Sequence, residues 1–212
     1  MSEKIIITIA RQYGSGGREI GERVAALLGI PVYDRELITL SAKDSGLDTS
    51  VVEKADEKAT NSLLYTLALG SNSFGTMGHF GYQMPLNDRL FVLQSDVIRD
   101  LAQKGSCVLI GRAADYVLRD DPARFSVFVY ADEDDRKARV VARHENVSEQ
   151  KALELMTKTD RRRASYYNYY TGYKWGKLDR YHLAVSSSFL GIEGTARMIA
   201  DAARVRMEKK DD

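Results

Sequence analysis

Three glycines within four residues, Gly14, Gly16 and Gly17, with Ser15 among them, stand between an apolar run and an amphipathic stretch. Glycine takes positive φ readily and lets a backbone come close to an anion. A strand that feeds such a turn into a helix gathers the N–H groups of the turn and of the helix start on one point, where the helix dipole adds positive potential. The chemistry this allows is phosphate binding by the main chain. Arg11 and Arg18 flank the loop, and the planar fork of arginine suits a phosphate. The alternative is a tight strand–helix turn that holds no ligand. The loop is not a standard Walker A sequence. Aligned by its glycines, the usual lysine falls on Gly17 and the usual Ser/Thr magnesium ligand on Glu19. Glu19 is either a magnesium ligand or a residue of the exposed helix face.

Further candidates lie downstream. Arg112 follows the apolar run 107–110, at a strand end of the kind where open parallel sheets place ligands. Its alternative is a solvated arginine. The tract 160–175 interleaves arginines with tyrosines and a tryptophan. On a helix, Asp160, Arg163 and Tyr167 share a face. Three readings stand: a lid that brings cations to a transferred phosphoryl group, a surface that stacks single-stranded RNA bases, or a helix packed on its own domain or a dimer partner. Arg136, Arg139 and Arg143 recur at i, i+3, i+7. They face either the lid and the donor phosphates or, as the commoner outcome, solvent, paired with Glu133 or Asp132. Cys107 sits inside an apolar run and reads as a small buried hydrophobe. The three histidines, His79, His144 and His182, have no metal-ligand spacing, so no metal site is expected from them.

The elements that must position these residues follow from periodicity. Residues 5–10 are almost all apolar and mostly β-branched, as a strand buried on both faces requires. A helix over 18–28 is closed by Gly29, and Pro31 bars its continuation. Residues 32–33 form a short second strand, and Asp34 caps a helix through residue 40. A further helix is expected over 51–69, followed by a glycine-rich connection over 70–81. Helices are expected over 87–104, 132–145, from Ser148 toward residue 170, and over 191–209. Strands are expected over 107–110, 125–130 and 182–185. Strands alternating with helices imply an α/β domain with a mostly parallel sheet covered on both faces.

The chain has 212 residues, 44% of them hydrophobic and 29% charged, which suits one globular domain over 1–212. A net charge of +1 provides no general basic field, so nucleic acid is not expected as a partner. No apolar run is long enough to span a bilayer, and the single cysteine suits a reducing compartment, so a cytoplasmic protein is expected.

The residues 11–21 around the loop resemble the cytidylate kinase-like family, in particular its divergent subgroup. Val32-Tyr33-Asp34 falls where that family carries an aspartate after its second strand. Ile110-Gly111-Arg112 is similar to its Gly-Arg-Asp, with Ala113 in place of the aspartate, and the stretch 186–193 is similar to its C-terminal Asp-Ser-Thr-x-Leu-x-Ile-Glu. The resemblance covers nearly the whole chain. It implies a P-loop kinase fold with a five-stranded parallel sheet, an acceptor-binding insertion over about 45–85 and a helical lid over about 145–173. It implies transfer of the ATP γ-phosphoryl, with Mg2+, to CMP or dCMP. On this reading Arg11, Gly14, Ser15, Gly16, Gly17, Arg18 and Glu19 bind the donor. Asp34, Arg112, Asp160 and Arg163 bind the acceptor. Arg18, Arg112 and Arg163 serve catalysis, with Arg18, and Arg11 as the alternative, supplying the charge of the absent lysine. Two runner-up readings remain: the same fold acting on a non-nucleotide small molecule, and a nucleotide-binding regulatory module without catalysis. A homodimer stays among the alternatives.

Overall fold

A computed structural model describes residues 4–34, 85–144 and 147–208. The expected helices over 34–40 and 51–69, the glycine-rich 70–81 connection and the insertion up to Pro85 lie outside the described residues, as do Glu145 and Asn146 at the start of the lid segment.

The chain runs β1 (Ile6–Arg11), α1 (Gly17–Leu28), β2 (Val32–Tyr33), α2 (Leu86–Lys104), β3 (Cys107–Ile110), α3 (Ala114–Val117), β4 (Arg124–Tyr130), α4 (Glu133–Arg143), α5 (Glu149–Thr171), a 3-10 turn (Leu178–Arg180), β5 (Leu183–Ser186) and α6 (Ser187–Glu208). The five strands form one parallel sheet in the order β2-β3-β1-β4-β5. β1 is central, which explains its unbroken apolar sequence. Successive side chains leave opposite faces of a strand. Ile5, Ile7 and Ile9 therefore pack with Ile20 and Val24 of α1 and Ala196, Ile199 and Ala203 of α6. Ile6 joins Ile98 and Ala102 of α2, Leu109, and Val117 of α3 on the other face. Each fully buried aliphatic side chain contributes roughly 1.5–3 kcal/mol relative to exposure.

The expected punctuation is present. Gly29 ends α1 at φ 65°, and its N–H bonds the carbonyls of Ala25 and Ala26. Ser148 caps α5 by accepting from the Lys151 N–H, and Gly172 ends it at φ 71°. One feature was not expected: a short helical turn from Ser187 precedes the long last helix, and Gly191 (φ 66°, ψ 176°), the expected start of that helix, separates the two. The short α3 was not anticipated, because four residues carry too little periodicity to register.

Parallel pairing sends the carboxyl ends of all five strands to one edge. Arg11, Asp34, Gly111-Arg112, Ala131 and Ser187 follow β1 to β5 or close them at that edge, where ligands bind in open α/β sheets.

Candidate functional site: an arginine-ringed phosphate loop

The loop between β1 and α1 is held rigidly from outside. Gln12 donates its N–H to the Val129 carbonyl and accepts the Ala131 N–H at its side-chain oxygen, 3.2 Å. Ser15 is fully buried; its hydroxyl donates to the Gln12 carbonyl at 2.9 Å. The Ser187 hydroxyl, on the first turn of α6, donates to the Ser15 carbonyl at 2.7 Å. Gly14 (φ 82°) and Gly16 (φ 76°) take the left-handed conformation. A Cβ on Gly14 would lie 2.8 Å from the Arg136 carbonyl oxygen, and one on Gly16 would strike the Cδ1 of Ile192.

Gly16 is the N-cap of α1 and makes no side-chain capping bond. The N–H groups of Gly17, Arg18 and Glu19 have no carbonyl partner within a helix that starts there. An uncapped helix start preceded by a glycine turn has the geometry that suits an anion.

Arginines surround it. The Arg11 side chain leaves β1 and passes over Gly17, where an added Cβ would meet Arg11 Cβ at 2.5 Å and Cγ at 2.8 Å. Its guanidinium ends against Gly111. Arg139 of α4 places its guanidinium carbon 3.4 Å from where a Gly16 Cβ would be. Arg136 is buried, and Arg139 and Arg143 both approach Glu19 Oε2, at 3.7 and 3.6 Å. Arg136 and Arg139 thus face the loop, against the solvent-facing alternative, while Arg143 is exposed beside an acidic neighbour as that alternative has it. The i, i+3, i+7 spacing signalled a shared face, but only the packing of α4 on β1's loop says which way it points.

Arg18 and Asp34 are brought together: Nη2 lies 2.8 Å from Asp34 Oδ2, while Nε bonds Glu22. Arg18 is about half exposed at 53%. Glu19 also pairs with Arg23 at 3.2 Å, so three arginines surround one carboxylate. Mg2+ keeps several waters and needs only one or two carboxylates plus substrate phosphates. Glu19, already held by Arg23, Arg139 and Arg143, does not fit as that carboxylate. Among the described residues no group of three or more acidic, His or Cys side chains could hold a metal alone.

Asp160 and Arg163 of α5 reach the same loop from the other side. Asp160 Oδ1 accepts the Tyr13 N–H at 2.7 Å, and its Oδ2 pairs with Arg136, whose Nε donates to the Tyr13 carbonyl at 2.7 Å. The Tyr13 peptide is clamped at both its N–H and its C=O. Arg163 donates to the Arg11 carbonyl at 2.8 Å, with its guanidinium 5.6 Å from the Tyr13 ring. The middle of α5 is therefore bonded to the phosphate loop in this state.

The tyrosines of the 160–175 tract are spent largely on the domain itself. Tyr170 stacks on Phe91 of α2 at 4.1 Å and donates to Asp88. Tyr166 meets both rings edge-on and lies under the Arg112 guanidinium, 5.6 Å away. Trp175 packs edge-on to Phe128. Tyr167 is buried and donates to Asp115 Oδ2 at 2.7 Å. Burial pushes the Asp115 carboxyl above the ordinary carboxylate range against the opposing effect of that bond. Desolvation and the neighbouring Asp115 raise the Tyr167 phenol in turn, so its proton stays in place as the donor.

Gly111, Arg112 and Ala113 all take positive φ, 83°, 55° and 51°. For the two non-glycine residues this costs of order 1–3 kcal/mol each. The turn directs the Arg112 backbone across the carboxyl end of β3 and starts α3, which carries Asp115 inward. Cys107 is buried and its thiol is pushed up to about 11 by desolvation, which makes it inert at neutral pH.

The sequence profile of the cytidylate kinase-like family matches residues 6–189. No match to a curated protein is found. Among solved structures, an uncharacterized protein from Eubacterium ventriosum is similar at 30% identity, with TM-score 0.72, over 96% of this chain and 99% of that one. A shikimate kinase from Bacteroides thetaiotaomicron is similar at 11% identity and TM-score 0.49, over 94% and 98% of the two chains. A gluconokinase from Sinorhizobium meliloti is similar at 14% identity and TM-score 0.46, over 97% and 92%. No helix among the described residues is long and apolar enough to cross a membrane.

Proposed function

This chain belongs to the cytidylate kinase-like family, and from that premise we propose that it transfers the γ-phosphoryl group of ATP to CMP, dCMP or a related small acceptor. The observation that carries the reading is the uncapped start of α1 behind Gly14 and Gly16, with Arg11 and Arg139 over it. The main-chain N–H groups of Gly17, Arg18 and Glu19 take donor phosphate oxygens. Magnesium carried in with the ATP phosphates would add charge neutralisation between them, while Glu19 stays paired with Arg23, Arg139 and Arg143. Phosphoryl transfer asks a protein mainly for positioning and charge stabilisation, which is what this arrangement provides.

Arg11, rather than Arg18, takes the part of the absent lysine. Its stem fills the space over Gly17 where a lysine side chain would begin. Arg18 is turned toward Asp34 and belongs with the acceptor end of the site. Arg112, at the strained turn after β3, lies on that same end beside Tyr166.

A second reading, an acceptor other than a cytidine nucleotide, is favoured by one observation. Asp160 and Arg163, which the family resemblance assigns to the acceptor, are bonded to the loop backbone. Release of ADP from ATP–Mg2+ against a panel of nucleoside monophosphates and small alcohols tests both readings. Turnover with CMP or dCMP supports the first, and turnover only with a non-nucleotide supports the second. ATP binding without ADP release on any acceptor would leave a regulatory module and end the phosphotransferase reading.

A further inference from the structure

A cavity lined by both charged and apolar side chains lies at the opposite edge of the sheet. It has a volume of about 410 Å³ and is lined by Asp121, Pro122, Arg124, Phe125, His182 and Arg206. Arg124 opens β4 and His182 directly precedes β5. β4 runs seven residues from there to Tyr130, so the cavity is about 20 Å from the phosphate-loop edge at ~3.3 Å per strand residue.

Its polar groups are mostly donors. Arg124 bonds the Asp115 carbonyl through Nη1 at 3.1 Å, while its Nε is buried and bonds no described residue. A buried guanidinium N–H left unbonded is costly. Arg206 donates to the Pro122 carbonyl at a long 3.4 Å. His182 Nδ1 accepts the Ser126 N–H at 3.2 Å, which leaves the ring proton on Nε2 as a donor. Burial first, then Arg124 and Arg206, lower the His182 pKa and keep the ring neutral at pH 7. Asp121 is the one acid of the lining, and its carboxylate is already engaged by the Ala123 N–H at 2.8 Å and by Lys4 at 3.8 Å. Two guanidinium groups line the cavity beside this one carboxylate. The rings of Phe125 and His182 both line the cavity and lie nearly parallel, 6° apart in plane with centroids 6.3 Å apart.

We propose that this cavity is a second binding site, for a small oxyanion that carries a flat apolar group. Arg124 and Arg206 hold the anion, and the Phe125 and His182 rings take the flat part. Neither the phosphate loop nor any acceptor residue takes part in it.

The probe is phenyl phosphate, compared with inorganic phosphate, followed through the ring resonances of His182 by NMR. A saturating non-hydrolysable ATP analogue is present, so that the phosphate loop is already filled. The expected result is a saturable His182 shift, with phenyl phosphate at least about fivefold tighter than inorganic phosphate. Arg206→Ala, a substitution near the end of the last helix, should weaken phenyl phosphate at least about tenfold. Arg124→Met should do the same, and an unchanged thermal midpoint of Arg206→Ala shows that the fold is kept. The absence of a saturable shift would overturn the proposal. So would equal binding by the folded Arg206→Ala protein, or binding that the ATP analogue displaces.

Discussion

The side chain of Arg11 lies over Gly17, so close that a Cβ there would come 2.5 Å from Arg11 Cβ. Under the proposed function the site's cation comes from the end of β1, not from the first turn of α1. Arg11→Met should lower kcat about 100-fold or more, the magnitude seen when one charge-stabilising donor is lost, with ATP affinity changed far less. Arg18→Ala should cost less than about tenfold in kcat and act mainly on the acceptor KM. Steady-state kinetics of the two variants decide the matter. A larger kcat loss in Arg18→Ala would return the role to Arg18.

Asp160 holds both the Tyr13 N–H and Arg136. Asp160→Asn keeps an acceptor for Tyr13 but removes the charge partner of a buried arginine. The expected outcome is a several-fold rise in KM for ATP with little change in KM for the acceptor. A selective rise in the acceptor KM would instead place Asp160 on the acceptor, as the family resemblance implies.

Asp115 gives a pH signature. Its carboxyl is raised in the folded state, so the folded protein holds a proton that the unfolded chain has released. Stability from this group is present below the unfolded carboxyl value and is lost as pH rises through the folded one. Asp115→Asn removes that loss while keeping an acceptor for Tyr167. Urea unfolding at several pH values should show the variant gaining on the parent protein as pH rises from about 4 toward neutral. A difference that stays constant with pH would show that Asp115 ionises normally.

Much of the fold was legible because its signals are local. The unbroken apolar run of β1 announced a central strand, and Gly29, Ser148 and Gly172 marked helix ends through φ and hydrogen bonding that those residue types favour. The glycine turn before α1 was legible for the same reason. What escaped depends on elements crossing in space. Arg11 was weighed only as the alternative to Arg18, because no spacing rule relates a strand's last side chain to the volume above Gly17. The Ser187 bond to the Ser15 carbonyl joins residues 172 positions apart. The tyrosine-rich tract carried three readings because composition does not say whether a ring has a partner. Phe91, Gln94 and Asp88 on α2 provide those partners for Tyr166 and Tyr170.

The central claim is that donor phosphates sit on the Gly14–Glu19 backbone, and amide chemical shifts report that directly. The protein is titrated with a non-hydrolysable ATP analogue and Mg2+ while backbone N–H resonances are followed. The predicted result is that the largest shifts fall on Gly14, Gly16, Gly17, Arg18 and Glu19, with the Arg11 and Arg139 guanidinium signals moving along the same binding curve. Saturable binding that leaves these amides unmoved, or that moves another surface most, would contradict the account.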